Sequence, residues 1–253
     1  MPTLLVFGAR YLGRTIAREF SRDGWSAAAV ALSDETVASF REELPDALGI
    51  VGDVNRAEDV ERAFAETSER FGPIDLVVNA TPTGERGGKL TGIRNVLRTG
   101  ARELGAAGAG TIVQITGGAS GRQPPGAKIA LKTAVLRRGS ESWDRDEALF
   151  GQSPQKLERF LEVRGGIGVG VRTMVQSLAG SLRERGVHVA LLVVDGTIES
   201  GRTTEIIQGW PAEASVAEEE VARAVKYLAE QSPRAWTHEL VLSPRLHQSW
   251  LAP

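Results

Sequence analysis

The chain has 253 residues, 42% of them hydrophobic and 25% charged, with a formal net charge of −2. That is the composition of an ordinary globular protein, and so balanced a charge gives no electrostatic reason for nucleic acid or an anionic membrane as partner. There is no cysteine, which excludes disulfides, thiolate metal sites and cysteine nucleophiles.

Only three histidines occur, His188, His238 and His247, spread too widely to read as a metal site. A strand begins by residue 3, without a charged segment and apolar stretch ahead of a cleavage site. No apolar run approaches the roughly 20 residues of a membrane span. The expectation is a cytoplasmic protein acting on a small molecule.

In chain order, Thr3 to Phe7 is an apolar run that ends at Gly8. It reads as a strand, and residues from about Gly13 to Asp23 read as the helix after it. The turn between them fits G-x-G-x-x-G, with Arg10 in the second glycine position. Such a turn offers backbone N–H groups and a positive helix end to a pyrophosphate. Strands at Ser26–Ala31 and Leu48–Gly52 follow, with a helix over 34–44 that Pro45 ends. A helix spans 57–71, with Val60, Ala63, Phe64 and Thr67 on one face. Then come a strand at Asp75–Asn79, a helix over 90–104, a small-residue turn from Gly105 to Gly110, and a strand at Thr111–Thr116.

Residues 119–160 break this rhythm. Pro124-Pro125 excludes helix interior, and the charges that follow mark an irregular insertion of the kind that forms lids. Gly165-Gly166-Ile167-Gly168-Val169-Gly170 reads either as an opened space or as a second anion turn ahead of a helix over Val169–Arg185. Val187–Val194 is a continuous apolar strand, as expected of one buried on both faces. Ser215-x-x-Glu218 reads as a capping box for a helix to Glu230, and Glu239–Leu242 is the last strand. Alternating strands and helices predict one doubly wound α/β domain over 1–253, with about seven parallel strands.

Taken together, these segments resemble the short-chain dehydrogenase/reductase superfamily. The glycine turn, Asp53-Val54, Asn79-Ala80, Leu90-Thr91-Gly92, Gly110-Thr111-Ile112-Val113 and the helix over Ser177–Arg185 stand in family order and spacing. The resemblance implies a Rossmann-type sheet and a nicotinamide cofactor. By resemblance, Gly8, Arg10, Tyr11, Leu12 and Gly13 form the pyrophosphate turn. Asp53 and Val54 bracket the adenine, Asn79 and Ala80 line the site, and Ile198 and Ser200 belong to the loop that holds the nicotinamide, with Asp195 in place of a usual proline. No acid stands at the end of the second strand to take the ribose hydroxyls, while Arg10 and Arg14 suit a 2′-phosphate. NADP is therefore expected before NAD, and a purely structural or absent nucleotide stays open. Family members also pair through the helices matched by 90–104 and 169–185, so a homodimer or homotetramer is expected.

The family's catalytic residues are replaced. Lys89 stands where its asparagine is expected, and Thr116-Gly117-Gly118 where its serine is. Its tyrosine and lysine fall on Arg164 and Gly168 counting back from the helix, or near Lys128 and Lys132 counting forward. The chain has two tyrosines, Tyr11 and Tyr227, and neither falls on these positions. Thr116 remains to polarise a carbonyl. Arg164 remains to stabilise an anion, since a guanidinium of pKa above ~12 is no proton donor. Three readings stay open: an NADP-dependent reductase with substituted groups, a non-redox cyclase, dehydratase or isomerase on the same scaffold, and a non-catalytic nucleotide-binding partner protein.

Overall fold

A computed structural model describes residues 1–82, 90–117 and 154–246, with the side chains of 154–167 outside that set. The elements are β1 (Thr3–Phe7), α1 (Leu12–Arg22), β2 (Ser26–Ala31), α2 (Asp34–Glu43), β3 (Leu48–Val51), α3 (Ala57–Phe71), β4 (Leu76–Asn79), α4 (Leu90–Ala107), β5 (Gly110–Gly117), α5 (Pro154–Leu182), β6 (Val187–Val194), α6 (Glu218–Ala229) and β7 (Glu239–Leu242). All seven strands are parallel, in the order β3-β2-β1-β4-β5-β6-β7. The winding reverses between β1 and β4, so the crevice at the C-terminal ends of those two strands is where this class of sheet takes ligands.

Alternation along each strand feeds two cores. Leu4 and Val6 pack with α1, α2 and α6, while Leu5 and Phe7 pack with α3, α4 and α5. Four of the six residues of β2 are alanine, which leaves room for large side chains above it. Phe20 and Phe40 occupy one face with Ala27 and Ala29, and Phe64 lies on the other, 5.9 Å from Phe7. Among the described residues no helix is long and apolar enough to cross a membrane.

Three expectations are corrected. α4 continues through Gly105 to Ala107. Gly105 is not a turn residue but a contact residue, since a Cβ on it would lie 2.9 Å from the Arg185 guanidinium carbon. α5 begins at Pro154, a residue suited to a first helical turn, so 154–160 belongs to a helix and Gly165–Gly170 lies inside it. That removes the second anion turn. Gly168 is buried and Gly170 faces Leu90 of α4, so packing against α4 overrides the low helix propensity of glycine. Finally, Ala217 is the N-cap of α6 and there is no capping box. Ser215 Oγ donates to Glu199 Oε1 at 2.6 Å instead, and Glu218 Oε2 accepts from Thr15 Oγ1 at 2.6 Å.

Candidate functional site

The turn after β1 is shaped by close approach. The N–H groups of Gly8 and Ala9 both donate to Val30 O at 2.9 Å, and Ala80 N–H donates to Phe7 O at 2.9 Å. Gly8 has φ +109°, and a Cβ there would lie 3.1 Å from the Ala80 carbonyl. At Gly13 a Cβ would lie 1.9 Å from Gly8 O, so only glycine lets α1 start this close to β1. Thr15 N–H donates to Tyr11 O at 3.0 Å and closes the first helical bond. The N–H groups of Leu12, Gly13 and Arg14, in the first turn, precede that bond and have no intrahelical acceptor. This helix end has no side-chain cap and no acidic residue in its first turn, so its positive end is left for an anion.

Tyr11 is the non-glycine residue held at positive φ, 54°, among those described. A Cβ on Gly201 would lie 3.0 Å from its Cε1, so the loop after β6 rests on the Tyr11 ring. Arg10 is exposed and its guanidinium carbon lies 4.9 Å from the centroid of that ring. The cation is thus parked over Tyr11 and leaves the glycine turn open.

On the β2–β3 side, Asp53 Oδ1 accepts from the Asn55 N–H at 2.8 Å and from Asn55 Nδ2 at 2.9 Å. The Asp53 N–H donates to Asp59 Oδ2 at 3.0 Å. That bond, and then Arg62, hold the Asp59 carboxyl below its ordinary value against the effect of burial. Val54 is buried, and Asn95 Nδ2 donates to its carbonyl at 3.0 Å. Leu32 is exposed at the end of β2. Arg14 is committed to α2, donating to Ser39 Oγ at 3.1 Å and Thr36 O at 3.4 Å, with Glu43 at 3.6 Å.

On the other side of the crevice, Asn79 is fully buried. Its Nδ2 donates to Gln114 Oε1 at 2.9 Å, while its Oδ1 accepts from Thr81 Oγ1 at 2.7 Å and from Thr81 N–H at 3.2 Å. Gln114 Nε2 donates to Ile115 O at 2.8 Å. Asn79 thus ties β4 to β5 with its side chain, and Ala80 presents backbone. Thr116, two residues beyond Gln114, shares that face and is buried at the end of β5. Ile198 bridges Val216, and the Ser200 N–H donates to Thr203 Oγ1 at 2.9 Å. Arg164 lies on α5, among residues whose side chains are outside the described set. Lys89, Lys128, Lys132 and His247 lie outside the described residues. The glycine turn, Asp53, Asn79, Thr116 and Ile198 therefore all stand along one edge of one sheet.

Residues 8–114 match the sequence family described as Enoyl-(Acyl carrier protein) reductase. The whole-chain fold agrees. A short-chain dehydrogenase from Rhodopseudomonas palustris superposes with a TM-score of 0.65 at 19% identity, covering 96% of this chain and 98% of that one. In fold, and over residues 8–114 in sequence, the chain is similar to the short-chain dehydrogenase/reductase superfamily. A variant of actinorhodin polyketide ketoreductase with NADPH superposes on it with a TM-score of 0.70 at 20% identity, over 97% of each chain. Two curated relatives align over shorter stretches: a peroxisomal 2,4-dienoyl-CoA reductase of Arabidopsis thaliana, 32% identical over 81 residues, and an L-fucose dehydrogenase of Bos taurus, 39% identical over 75. Those alignments take in 30% and 28% of this chain and 27% of each relative's length.

The chain has polar features that its sequence did not announce. Asn79 stood out in the sequence, but its bond to Gln114, an amide inside an apolar strand 35 residues on, left no local signal. The Thr15–Glu218 pair joins residues of α1 and α6 and has no local signal. Burial raises the Glu218 carboxyl above its ordinary value, against the Thr15 hydroxyl bond that stabilises the anion. At the opposite end of the sheet, His188 is buried on β6 with Nδ1 3.0 Å from Leu228 O and Nε2 2.9 Å from Thr237 O. Its ring stacks on Trp236, 5.2 Å between centroids and 8° from parallel. Burial pulls its pKa below the ordinary value, although both carbonyls pull the other way. His238 lies 5.8 Å from it, with its Nδ1 3.0 Å from Val189 O and its Nε2 3.3 Å from Arg183 Nη2.

Proposed function

We propose that this chain binds a nicotinamide dinucleotide, NADP(H) before NAD(H), and acts on a small organic substrate without a tyrosine–lysine pair. The observation that carries the binding half is the Gly8–Gly13 turn. It has no room for a side chain at Gly13, delivers an uncapped helix end to the switch point, and keeps Arg10 out of the way. The first-turn N–H groups of α1 would hold the pyrophosphate. Asp53 and Val54 would flank the adenine, and Arg10 is the cation placed for a 2′-phosphate, since Arg14 is already engaged by α2. When bound, the nucleotide supplies hydride chemistry. The chain's own part is to orient a carbonyl or hydroxyl with Thr116 and to stabilise charge with Arg164. A neighbour with NADPH and curated relatives named as a reductase and a dehydrogenase support an oxidoreductase-like role.

A second reading, a non-redox cyclase, dehydratase or isomerase, is favoured by one observation. Both tyrosines are elsewhere: Tyr11 is in the first turn, and Tyr227 is 56% exposed on α6. A non-catalytic nucleotide-binding partner protein is the third. Calorimetry at millimolar NADPH is expected to give binding heat, and its absence would overturn the nucleotide reading. NADPH oxidation with simple ketones is expected to stay at the buffer control, and steady turnover would restore the family's usual reduction. Loss of an activity in a folded Thr116→Ala or Arg164→Ala variant separates an enzyme from a binding protein. Self-association through α4 and α5, where Leu90 and Val169 are exposed, belongs to the same proposal, and light scattering at a monomer's mass would remove it.

A further inference from the structure

β3 is an end strand of the sheet, so one side of its backbone meets no other strand among those described. The Gly52 N–H donates to Ala31 O at 2.8 Å, which turns the backbone groups of Leu48, Ile50 and Gly52 toward β2. Those groups alternate along a strand, so the ones of Gly49, Val51 and Asp53 point out of the sheet. Such an edge is a template for another strand, and proteins commonly blunt it with a charged side chain or a proline on the strand itself. Leu48-Gly49-Ile50-Val51 has neither.

The outward groups are taken instead by side chains of the two flanking helices. Arg41 of α2 donates through Nη2 to Gly49 O at 2.5 Å. Arg62 of α3 donates through Nη2 to Val51 O at 2.7 Å. Asp59 Oδ2 accepts from the Asp53 N–H at 3.0 Å, and the Asp53 carbonyl accepts from the Arg56 N–H at 2.9 Å. At three successive outward positions, a group that an added strand would need is therefore already bonded. Arg41 lies directly across Gly49, where a Cβ would come 3.1 Å from its Nε. Arg62 is held in place by Asp59 Oδ1 at 3.2 Å and Glu66 Oε1 at 3.0 Å. A strand pairing here has to displace both guanidinium groups, and their charged hydrogen bonds are stronger than the neutral ladder bonds that would replace them.

We propose that Arg41 and Arg62, with Asp59, close the β3 edge against strand addition by a second copy of this chain. Twofold pairing would set β3 antiparallel to its own copy, an isologous contact in which one apolar, uncharged strand meets itself. The proposal is independent of the nucleotide reading, and it concerns other elements than the association through α4 and α5. The test compares the wild type with Arg41→Met/Arg62→Met, which keeps the side-chain stems and removes the donors. The control is Arg22→Met/Arg102→Met, the same change of charge and apolar surface at two exposed arginines of α1 and α4 that pair with glutamates. Asp59 is left unchanged because its bond to Asp53 enters the candidate site. In light scattering, Arg41→Met/Arg62→Met is expected to reach about twice the wild-type mass as concentration rises, while the control keeps the wild-type mass. Amide exchange at Gly49 and Val51 is expected to slow about tenfold in the associated variant. No added mass in the variant, equal association of the control, or association without slowed exchange at Gly49 and Val51 overturns the proposal. Where the double variant does not fold, the wild type decides alone. Exchange at Gly49 and Val51 that slows as its concentration rises shows an open edge and overturns the proposal, and exchange that stays constant upholds it.

Discussion

Gly13 carries the tightest constraint at the scale of single residues. Gly13→Ala drives a methyl into the Gly8 carbonyl oxygen, and backbone on backbone cannot relax as side chains do. A loss of about 3 kcal/mol is expected in urea unfolding, together with loss of nucleotide binding. The Asn79–Gln114 bond invites a double-mutant cycle. Asn79→Leu or Gln114→Leu alone leaves a buried amide without its partner and is expected to cost about 1–3 kcal/mol, with the double variant costing less than the sum. Two titratable groups set opposite pH trends. His188 has a depressed pKa in the folded chain, so the unfolded chain binds the extra proton and stability falls as pH drops below the ordinary value of 6.5. Glu218 has a raised pKa, so its contribution is full below 4.5 and is lost as pH rises through the folded value. Unfolding midpoints measured from pH 4 to 8 are expected to rise more steeply with pH in Glu218→Gln than in wild type, and less steeply in His188→Gln. At this scale the sequence was legible where backbone geometry dictates the residue, as at Gly8 and Gly13. It was silent where the partner lies far along the chain, as for Thr15 and Glu218.

Among the elements, α5 separates intrinsic preference from packing. Its glycines read as a break because a pattern read along the chain counts propensity, and Gly165–Gly170 scores poorly as helix. The contact of Gly170 with Leu90 of α4, where an added Cβ would sit at 3.5 Å, is not in the local pattern. Another glycine of α5 has no such neighbour. Gly180 is exposed, and a Cβ there meets nothing within 4 Å. Gly180→Ala is expected to stabilise the fold by about 0.5–1 kcal/mol, read as a higher urea midpoint. The same substitution therefore has opposite signs at residues 13 and 180. Strands β2, β6 and β7 were legible to the residue, because turn residues bound them and, in β2 and β6, the apolar run matches the burial. The missing capping box has the same cause as the misread α5: Ser215 found a better acceptor in Glu199, sixteen positions away along a loop folded back on itself.

For the molecule as a whole, the doubly wound order follows from the alternation of elements and from where the helices must pack, and that much was visible in advance. The chemistry was less so, since the fold specifies the crevice without specifying what happens in it. Ligand linkage provides a test that needs no substrate. If the crevice binds NADP(H), a ligand at a hundred times its dissociation constant adds about 2.7 kcal/mol of stability, and the melting temperature is expected to rise with nucleotide concentration. An unchanged melting curve would count against the proposed site. The His188–Trp236 stack has a further consequence. An indole lying flat on an imidazole emits while the imidazole is neutral and is quenched when it becomes a cation. The protein thus carries an optical gauge of the β6–β7 border, and the emission lost in Trp236→Phe isolates its signal from those of the other four tryptophans.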